Sequence, residues 1–393
     1  MSKTIYFRNL NGLRFIAAFF VILHHTDENM EIFGHPEGFE FPKVFGPLAV
    51  RFFFVLSGFL ITYLLLDEKE RTQTVNVKSF YMRRILRIWP LYYLIVVLAL
   101  FVLPHTGFFN IPPYLQTLQH GFTMKLLLLV LFIPNVLYAI NPEYSIPHAD
   151  QLWSIGVEEQ FYLMWPWIVR RAKNYLLTFI LVIFVFSALT DHLIGGLLDL
   201  LVYMHVTVES SAFYQTGLVV NNFFSGWANF QIDAMAVGAL AAYLVFFKKD
   251  AVLQVLFNRK FTRSLLVLFL LSVAVLHHYH VYLYFSIIFA IFILNVTLNP
   301  ANRFNVEHPI LKYLGRISYS IYMLHPIAIT IAIKSIYAMR AHLRPIELQL
   351  MVYVVAIAIS IALASFSYHF IEQPFLRMKN RFEVGRKTKP EVN

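Results

Sequence analysis

The 393-residue sequence contains no cysteine, which excludes disulfide bonds, thiolate catalysis and cysteine-ligated metal sites. It is also poor in charge, because Asp, Glu, Lys and Arg make up only 14% of its residues, against about 25% in ordinary soluble domains. No polar stretch of domain size separates its apolar segments. The first of these absences excludes a disulfide-stapled secreted fold, and the last leads us to expect no appended soluble domain within these residues.

What the sequence has in abundance is apolar side chains: 59% of the residues are hydrophobic and 17% are aromatic. This composition predicts an all-α, polytopic membrane helical bundle. The net charge of +10 is concentrated between the apolar runs, which favours the positive-inside rule and argues against nucleic-acid binding. No small-residue cleavage site follows the first run, so we expect a retained span rather than a signal peptide.

Eleven apolar runs are present, but an odd number of crossings would separate two ends whose basic residues both indicate the cytoplasm. The run at 125–140 is interrupted by Pro134 and falls short of the roughly 20 residues that a span needs. We therefore predict about ten transmembrane helices plus one re-entrant or broken helix, with both termini cytoplasmic. The membrane domain is predicted at 1–376 and a basic cytoplasmic tail at 377–393. The predicted runs are 10–25, 48–66, 89–103, 125–140, 151–169, 175–195, 228–247, 264–277, 281–298, 317–336 and 347–370, with an external loop at 26–46.

Ionisable side chains within or beside apolar runs are candidates for function, because a charge inside a membrane is costly. Arg14 and His25 lie eleven residues apart, which is about 16 Å along one face of a helix. A snorkelling arginine with interfacial histidines explains that pair equally well when the first run is considered alone. Glu158 and Glu159 are adjacent, so only one of them can face a given cavity. The full set is Arg14, Arg51, Glu158, Glu159, His325 and Glu372.

Three arginines, Arg83, Arg84 and Arg87, have the helical spacing that suits the capture of phosphate groups. Anchoring beside anionic lipid is the alternative, and it is favoured for this cluster taken alone. Ser57 and Gly58 indicate close helix packing, because the G-x-S-x-G pattern of a nucleophilic serine is absent. No metal site is expected: His277, His278 and His280 are interpreted as a solvated external turn.

Six segments follow one another across residues 10–375. They are Arg14 with ten residues before His25, FFFVLSGFLI at 52–61, FYMRRILRIWPLYYL at 80–94, QLWSIGVEEQFYLMWPW at 151–167, LGRISYSIYMLHP at 314–326 and SYHFIEQPF at 367–375. No segment is specific alone, but the six in this order resemble the acyltransferase-3 family of integral-membrane O-acyltransferases, which acylate bacterial surface glycans.

The resemblance implies transfer of an acyl group, commonly acetyl, from cytoplasmic acyl-CoA to a hydroxyl of a cell-surface or lipid-linked glycan. Acyl-CoA (acetyl-CoA) would be a donor substrate rather than a tightly bound cofactor. The enzyme would lie in the bacterial inner membrane, surrounded by membrane lipid. By position, His25 would be the catalytic residue and Arg14 its partner, and either Glu158 or Glu159 would supply the acidic motif. Arg83, Arg84 and Arg87 would handle acyl-CoA.

Several alternatives remain open at this stage. His25 could act as a general base towards the acceptor or carry the acyl group transiently. A transporter or flippase of a lipid-linked glycan, without acyl transfer, would have a similar composition, and a non-catalytic sensor or scaffold is a third hypothesis. The acceptor and the length of the acyl group are not set by the sequence.

Overall fold

A computed structural model describes residues 6–35, 40–111, 121–140, 145–188, 231–276, 282–339 and 344–382 of the chain. Every regular element within these ranges is a helix, which confirms the all-α prediction. Four helical stretches there are long and apolar enough to cross a membrane, by length and composition: Lys43–Thr72, Val77–His105, Ser318–Ala338 and Pro345–Phe382. Shorter apolar helices accompany them. The chain is therefore a multi-pass membrane protein, while the count of about ten spans and the side of each terminus stay predictions.

The α-helices of the described ranges are numbered in chain order. They are α1 Leu10–Ile32, α2 Glu40–Thr72, α3 Val77–Val97, α4 Phe122–Val130, α5 Asn135–Ile140, α6 Leu152–Arg171, α7 Tyr175–Ala188, α8 Ile232–Phe246, α9 Asp250–Leu256, α10 Arg259–Leu276, α11 Tyr282–Leu298, α12 Pro309–Arg316, α13 Ser318–Ala338, α14 Pro345–Ser367 and α15 Gln373–Met378. The predicted turn at 277–280 and the end of the run at 175–195 lie outside the described residues.

Helix α1 continues well beyond the predicted end of the first span. The expected loop at 26–46 was wrong at both ends, because α1 runs to Ile32 and α2 already begins at Glu40. Polar groups in this extension find partners inside the protein: Thr26 Oγ1 donates to the carbonyl of Ile22 at 2.7 Å, and Tyr353 donates to the buried carboxylate of Asp27. Bonds of this kind let a polar segment stay helical.

The apolar run at 125–140 is broken, as predicted. It forms α4 and α5, which are separated by a turn at 131–134 where Phe132 adopts a positive φ of 58°. The side chain of Gln160 on α6 donates to the carbonyl of Phe132 at 3.2 Å and to Asn135 Oδ1 at 2.8 Å. Neighbouring protein therefore satisfies the interrupted backbone, as a break inside a membrane requires.

The helix carrying the three arginines begins earlier than predicted. Helix α3 starts at Val77, with the Asn76 side chain accepting from the Ser79 N–H at 3.0 Å, rather than at 89. Arg83, Arg84 and Arg87 therefore project from the same continuous helix that contains the predicted span, as their helical spacing predicted. Their directions around it follow helical geometry.

Helices α2 and α8 cross at two glycines. A Cβ atom placed on Gly58 would lie 1.9 Å from the carbonyl oxygen of Met235, and one on Gly238 would lie 2.0 Å from that of Val55. The predicted close packing at Gly58 is therefore confirmed. Near this crossing the buried guanidinium of Arg51 pairs with Asp233 of α8 and donates to Ser286 Oγ of α11 at 2.6 Å. These contacts give Arg51 a structural partner on each neighbouring helix.

Candidate active site

A cavity of about 280 Å³ lies among α1, α2, α3, α6 and α13, and we call it the arginine cavity. Four cations line it: Arg14 from α1, Arg84 and Arg87 from α3, and Lys379 from the segment after α15. Its other polar lining residues are Ser57, Ser154, Glu158, Tyr162, Ser318, Tyr319 and Tyr322. Arg14 therefore faces an internal cavity that it shares with residues of α3 and α6, which are distant in sequence, and this placement favours a site over a snorkelling arginine.

A chain of hydrogen bonds crosses this cavity. The hydroxyl groups of Ser57 and Tyr162 are 2.5 Å apart, and Tyr162 donates to Glu158 Oε2 at 2.8 Å. The guanidinium of Arg84 lies over the Tyr162 ring, with its carbon 5.6 Å from the ring centroid. Its buried Nε has no hydrogen-bond partner among the described residues. Sequence reasoning missed Ser57 and Tyr162 in this role, although the i, i+4 spacing of Glu158 and Tyr162 is a usable signal.

The two adjacent glutamates point in different directions, as their spacing predicted. Glu158 lines the arginine cavity, whereas Glu159 accepts a hydrogen bond from the indole N–H of Trp89 at 3.3 Å. Glu159 is not among the residues that line the cavity. The geometry therefore makes Glu158 the better candidate for the acidic motif.

The three predicted arginines have different surroundings. Arg83 forms an ion pair with Glu68 at 2.8 Å and donates to the carbonyl of Phe382 at 2.8 Å, so it joins α3 to α2 and to the segment after α15. Of the three, only Arg84 and Arg87 line the cavity. Glu372 lies outside it as well, where it accepts hydrogen bonds from Ser320 at 2.5 Å and Ser367 at 3.2 Å.

A second cavity, of about 570 Å³, lies towards the other end of α1, and we call it the histidine cavity. Its lining includes His25, Glu28, His148, Gln151 and His325. His25 Nδ1 lies 2.7 Å from Glu28 Oε2. With a proton on Nδ1 donated to that carboxylate, Nε2 of His25 would carry the lone pair that a general base needs. Glu28 was assigned to a loop from the sequence, so this pair was missed.

His24 is held differently from His25. A Cβ atom on Gly46 would lie 2.2 Å from Cγ of His24, so that ring packs directly against α2. His24 does not belong to the lining of the histidine cavity. The preference for His25 over His24 therefore has a geometric basis.

His25 stacks on His325 of α13, with ring centroids 5.0 Å apart and an interplanar angle of 26°. His325 Nδ1 lies 2.6 Å from the carbonyl oxygen of Tyr322, which can only accept, so Nδ1 carries the proton. Its Nε2 is buried without a hydrogen-bond partner in the described part of the chain. His325 was one of the ionisable candidates named from the sequence, and this contact brings it beside His25.

One helical turn separates the two cavities. On α6, Ser154 lines the arginine cavity and Gln151, just before its first residue, lines the histidine cavity; on α13, Tyr322 and His325 divide in the same way. Each pair is three residues apart, or about 4.5 Å of helical rise. Tyr322 and Ser154 hydroxyls are 2.6 Å apart, and Gln151 donates to the carbonyl of Met323 at 2.8 Å. We call these three side chains, Gln151, Ser154 and Tyr322, the septum.

The metal-ligating potential of the site is limited to one small group. Among the described residues, His24, His25 and Glu28 place one ligand atom each within 4.8 Å of one another. The contacts of Glu28 with the two imidazoles, at 3.3 and 2.7 Å, already account for this cluster. We therefore interpret it as a carboxylate shared between two histidines.

Comparison with known families gives one match over nearly the whole chain. Residues 7–368 match the acyltransferase-3 family, described as an acyltransferase domain. No solved structure matches the chain significantly.

Comparison with curated proteins gives relatives of the same kind. The chain is 28% identical over 342 residues to the peptidoglycan O-acetyltransferase OatA of Listeria monocytogenes, covering 83% of this chain and 50% of that protein. It is 25% identical over 404 residues to the O-acetyltransferase OatA of Staphylococcus aureus, covering 95% of this chain and 58% of that protein. The chain therefore spans about half the length of the curated relatives it matches.

Proposed function

Since the chain belongs to the acyltransferase-3 family, we propose that it transfers an acyl group, acetyl in the simplest case, from acyl-CoA to a hydroxyl of a cell-envelope glycan. The observation that carries the proposal is the placement of a cationic cavity and an imidazole-lined cavity on one axis, separated by one helical turn. A phosphate-bearing donor and a hydroxyl acceptor need these two environments respectively.

The donor would enter from the arginine cavity. Its three arginines, Arg14, Arg84 and Arg87, attract the phosphates of CoA, and the positive-inside rule orients this end towards the cytoplasm. A volume of about 280 Å³ lies just below the usual range for ligand pockets. It suits the narrow pantetheine arm and its acyl group, while the nucleotide remains at the mouth.

The chemical step would occur at His25. Its Nε2 removes the proton from the acceptor hydroxyl, and the oxygen then attacks the thioester carbonyl carbon. The tetrahedral intermediate collapses with cleavage of the carbon–sulfur bond, and the departing thiolate takes the proton from the imidazolium. Glu28, 2.7 Å from His25 Nδ1, holds the ring orientation and stabilises the cation. Transient acylation of His25 remains the alternative mechanism.

The septum lies on this route. For a thioester in the arginine cavity to reach His25, the hydrogen bond between Tyr322 and Ser154 must open. Gln151 contributes an amide whose oxygen is buried without a partner in the described residues. The septum therefore separates donor from acceptor until the donor is bound, which would limit hydrolysis of acyl-CoA by water.

The transporter alternative considered from the sequence is not favoured, because both the family and the named relatives are acyltransferases. The test is direct: the protein purified in lipid nanodiscs is incubated with acetyl-CoA and envelope glycan fragments, and both free CoA and acetyl esters are measured. Stoichiometric formation of the two products supports the proposal. Binding of glycan with no acetyl ester formed would contradict it.

A further inference from the structure

A groove on the lateral surface of the protein stands apart from both reaction cavities. It encloses about 410 Å³ between α1, α2, α10 and α11. Its walls include Leu13, Ala17, Ala49, Phe52 and Phe289, and Thr262 is the single residue with a polar side chain among the described residues that line it. A groove of this composition fits a hydrocarbon chain.

The groove opens at one end into a polar pocket of about 460 Å³. Four residues line both spaces, so they form one continuous site: Thr262, Leu266, Phe292 and Phe304. The pocket adds two cations, Arg263 near the start of α10 and Arg303 in the loop after α11. An apolar channel ending at two arginines has the shape and chemistry of an anionic amphiphile's site.

These two arginines lack a counter-charge among the described residues. Within those ranges neither Arg263 nor Arg303 forms an ion pair. Glu307, four residues after Arg303, is already held by Lys312 at 2.7 Å and by the hydroxyl of Tyr6 at 2.8 Å. The pocket therefore presents a net positive charge of two to an incoming headgroup.

The pocket lies at the same end of the protein as the arginine cavity. Asn9, which precedes α1, donates to the carbonyls of Val296 at 2.9 Å and Phe304 at 3.2 Å. The first turns of α1, which carry Arg14, are therefore packed against the segment that forms the pocket. A headgroup bound there lies in the leaflet from which acyl-CoA would approach.

We propose that this joined site binds an anionic phospholipid, with one acyl chain in the groove and the phosphate between Arg263 and Arg303. Phosphate oxygens accept charge-assisted hydrogen bonds from guanidinium groups, and each basic residue near a membrane surface strengthens binding of anionic lipid. The acyl chain packs on α1, α2 and α11, so an occupied groove buries apolar surface that α10 leaves uncovered.

The test is native mass spectrometry of the delipidated protein titrated with phosphatidylglycerol or phosphatidylcholine of the same chain length. We expect one phosphatidylglycerol bound preferentially, and binding about tenfold or more weaker in the double variant Arg263→Gln/Arg303→Gln. Leu266→Trp, which narrows the junction of groove and pocket, should also weaken it.

The matched control is Arg170→Gln/Arg171→Gln at the end of α6. These two arginines stack on Trp167 at 5.7 and 4.9 Å, and they do not line the groove or the pocket. Phosphatidylglycerol binding should be unchanged in this variant. Equal binding of the two lipids, unchanged binding in the Arg263/Arg303 variant, or a second copy of the chain covering the groove with no lipid bound would each overturn the proposal.

Discussion

The hydroxyl of Tyr322 lies 2.6 Å from Ser154 Oγ, at the level where the arginine cavity ends and the histidine cavity begins. This contact depends on the meeting of distant segments, since its partners are 168 residues apart. In the proposed mechanism it closes the path of the acyl group. The protein would then hold its donor away from the acceptor side by the septum, in which this hydrogen bond joins the two hydroxyls.

Removal of that hydrogen bond should increase the hydrolysis of acyl-CoA in the absence of an acceptor. In Tyr322→Phe the closed septum loses about 1 kcal/mol, so the open state is populated about fivefold more. We expect a similar increase in CoA release without acceptor, measured with a thiol reagent. Tyr92→Phe is the control, because that buried hydroxyl bonds the Leu129 carbonyl at 2.8 Å, away from the septum. An equal increase in CoA release in Tyr92→Phe would show that the effect does not depend on the septum.

The two glutamates should respond differently to neutralisation. Glu158→Gln removes the charge beside Tyr162 and Arg84, and charge-assisted hydrogen bonds are worth roughly 1.5–3 kcal/mol, so we expect a loss of about 10- to 100-fold in kcat/KM for acetyl-CoA. Glu159→Gln, which faces Trp89, should retain most activity. Equal losses in the two variants, with normal protein levels, would contradict the assignment.

The arginines offer a second matched pair. Arg87→Gln should raise KM for acetyl-CoA while leaving the thermal midpoint unchanged, because its side chain faces the cavity. Arg83→Gln should instead lower stability by roughly 3 kcal/mol, since it leaves the buried carboxylate of Glu68 without its cation, although the Asn76 N–H still donates to it. Thermal unfolding and steady-state kinetics on both variants separate the two roles. The reverse pattern would place the clamp on Arg83.

The crossing of α2 and α8 should tolerate no added carbon. Gly58→Ala puts a methyl group 1.9 Å from the Met235 carbonyl oxygen, and relief requires the helices to move apart. Overpacking of this kind costs roughly 1–3 kcal/mol, which thermal unfolding in detergent would register as a lower midpoint. Gly107→Ala should be neutral, because no atom lies within 4 Å of the added Cβ. An unchanged midpoint in Gly58→Ala would mean that the helices are less closely packed.

The fold class could be predicted from the sequence because long apolar runs with few charges are typical of a membrane helical bundle. It misjudged α1 after His25 because Thr26, Asp27 and Glu28 resemble a loop, whereas their partners lie on the same helix or on α14. A single sequence does not show which distant residues will become hydrogen-bond partners in the fold. The polar residues that make α1 a candidate for function also lower the hydrophobicity from which a membrane span is predicted.

Part of the candidate site was likewise predicted from the sequence, and part was not. Arg14, His25 and the arginine cluster were found because a charge in an apolar run is conspicuous. Whether Arg83 or Arg84 faces the cavity depends on 100° of helix rotation, which periodicity alone could not orient. Ser57 and Tyr162 were missed because hydroxyl groups are common in such runs, and only the approach of α2 to α6 brings theirs to 2.5 Å.

The central claim is that His25 is the base, or the carrier, for an acyl group delivered from the arginine cavity. Its most direct test compares His25→Gln with His24→Gln in nanodiscs, where acceptor-dependent release of CoA from acetyl-CoA is measured. The account predicts loss of at least about 100-fold in His25→Gln, as for removal of a general base, and near-normal turnover in His24→Gln. Turnover at the unsubstituted rate by folded His25→Gln would contradict it.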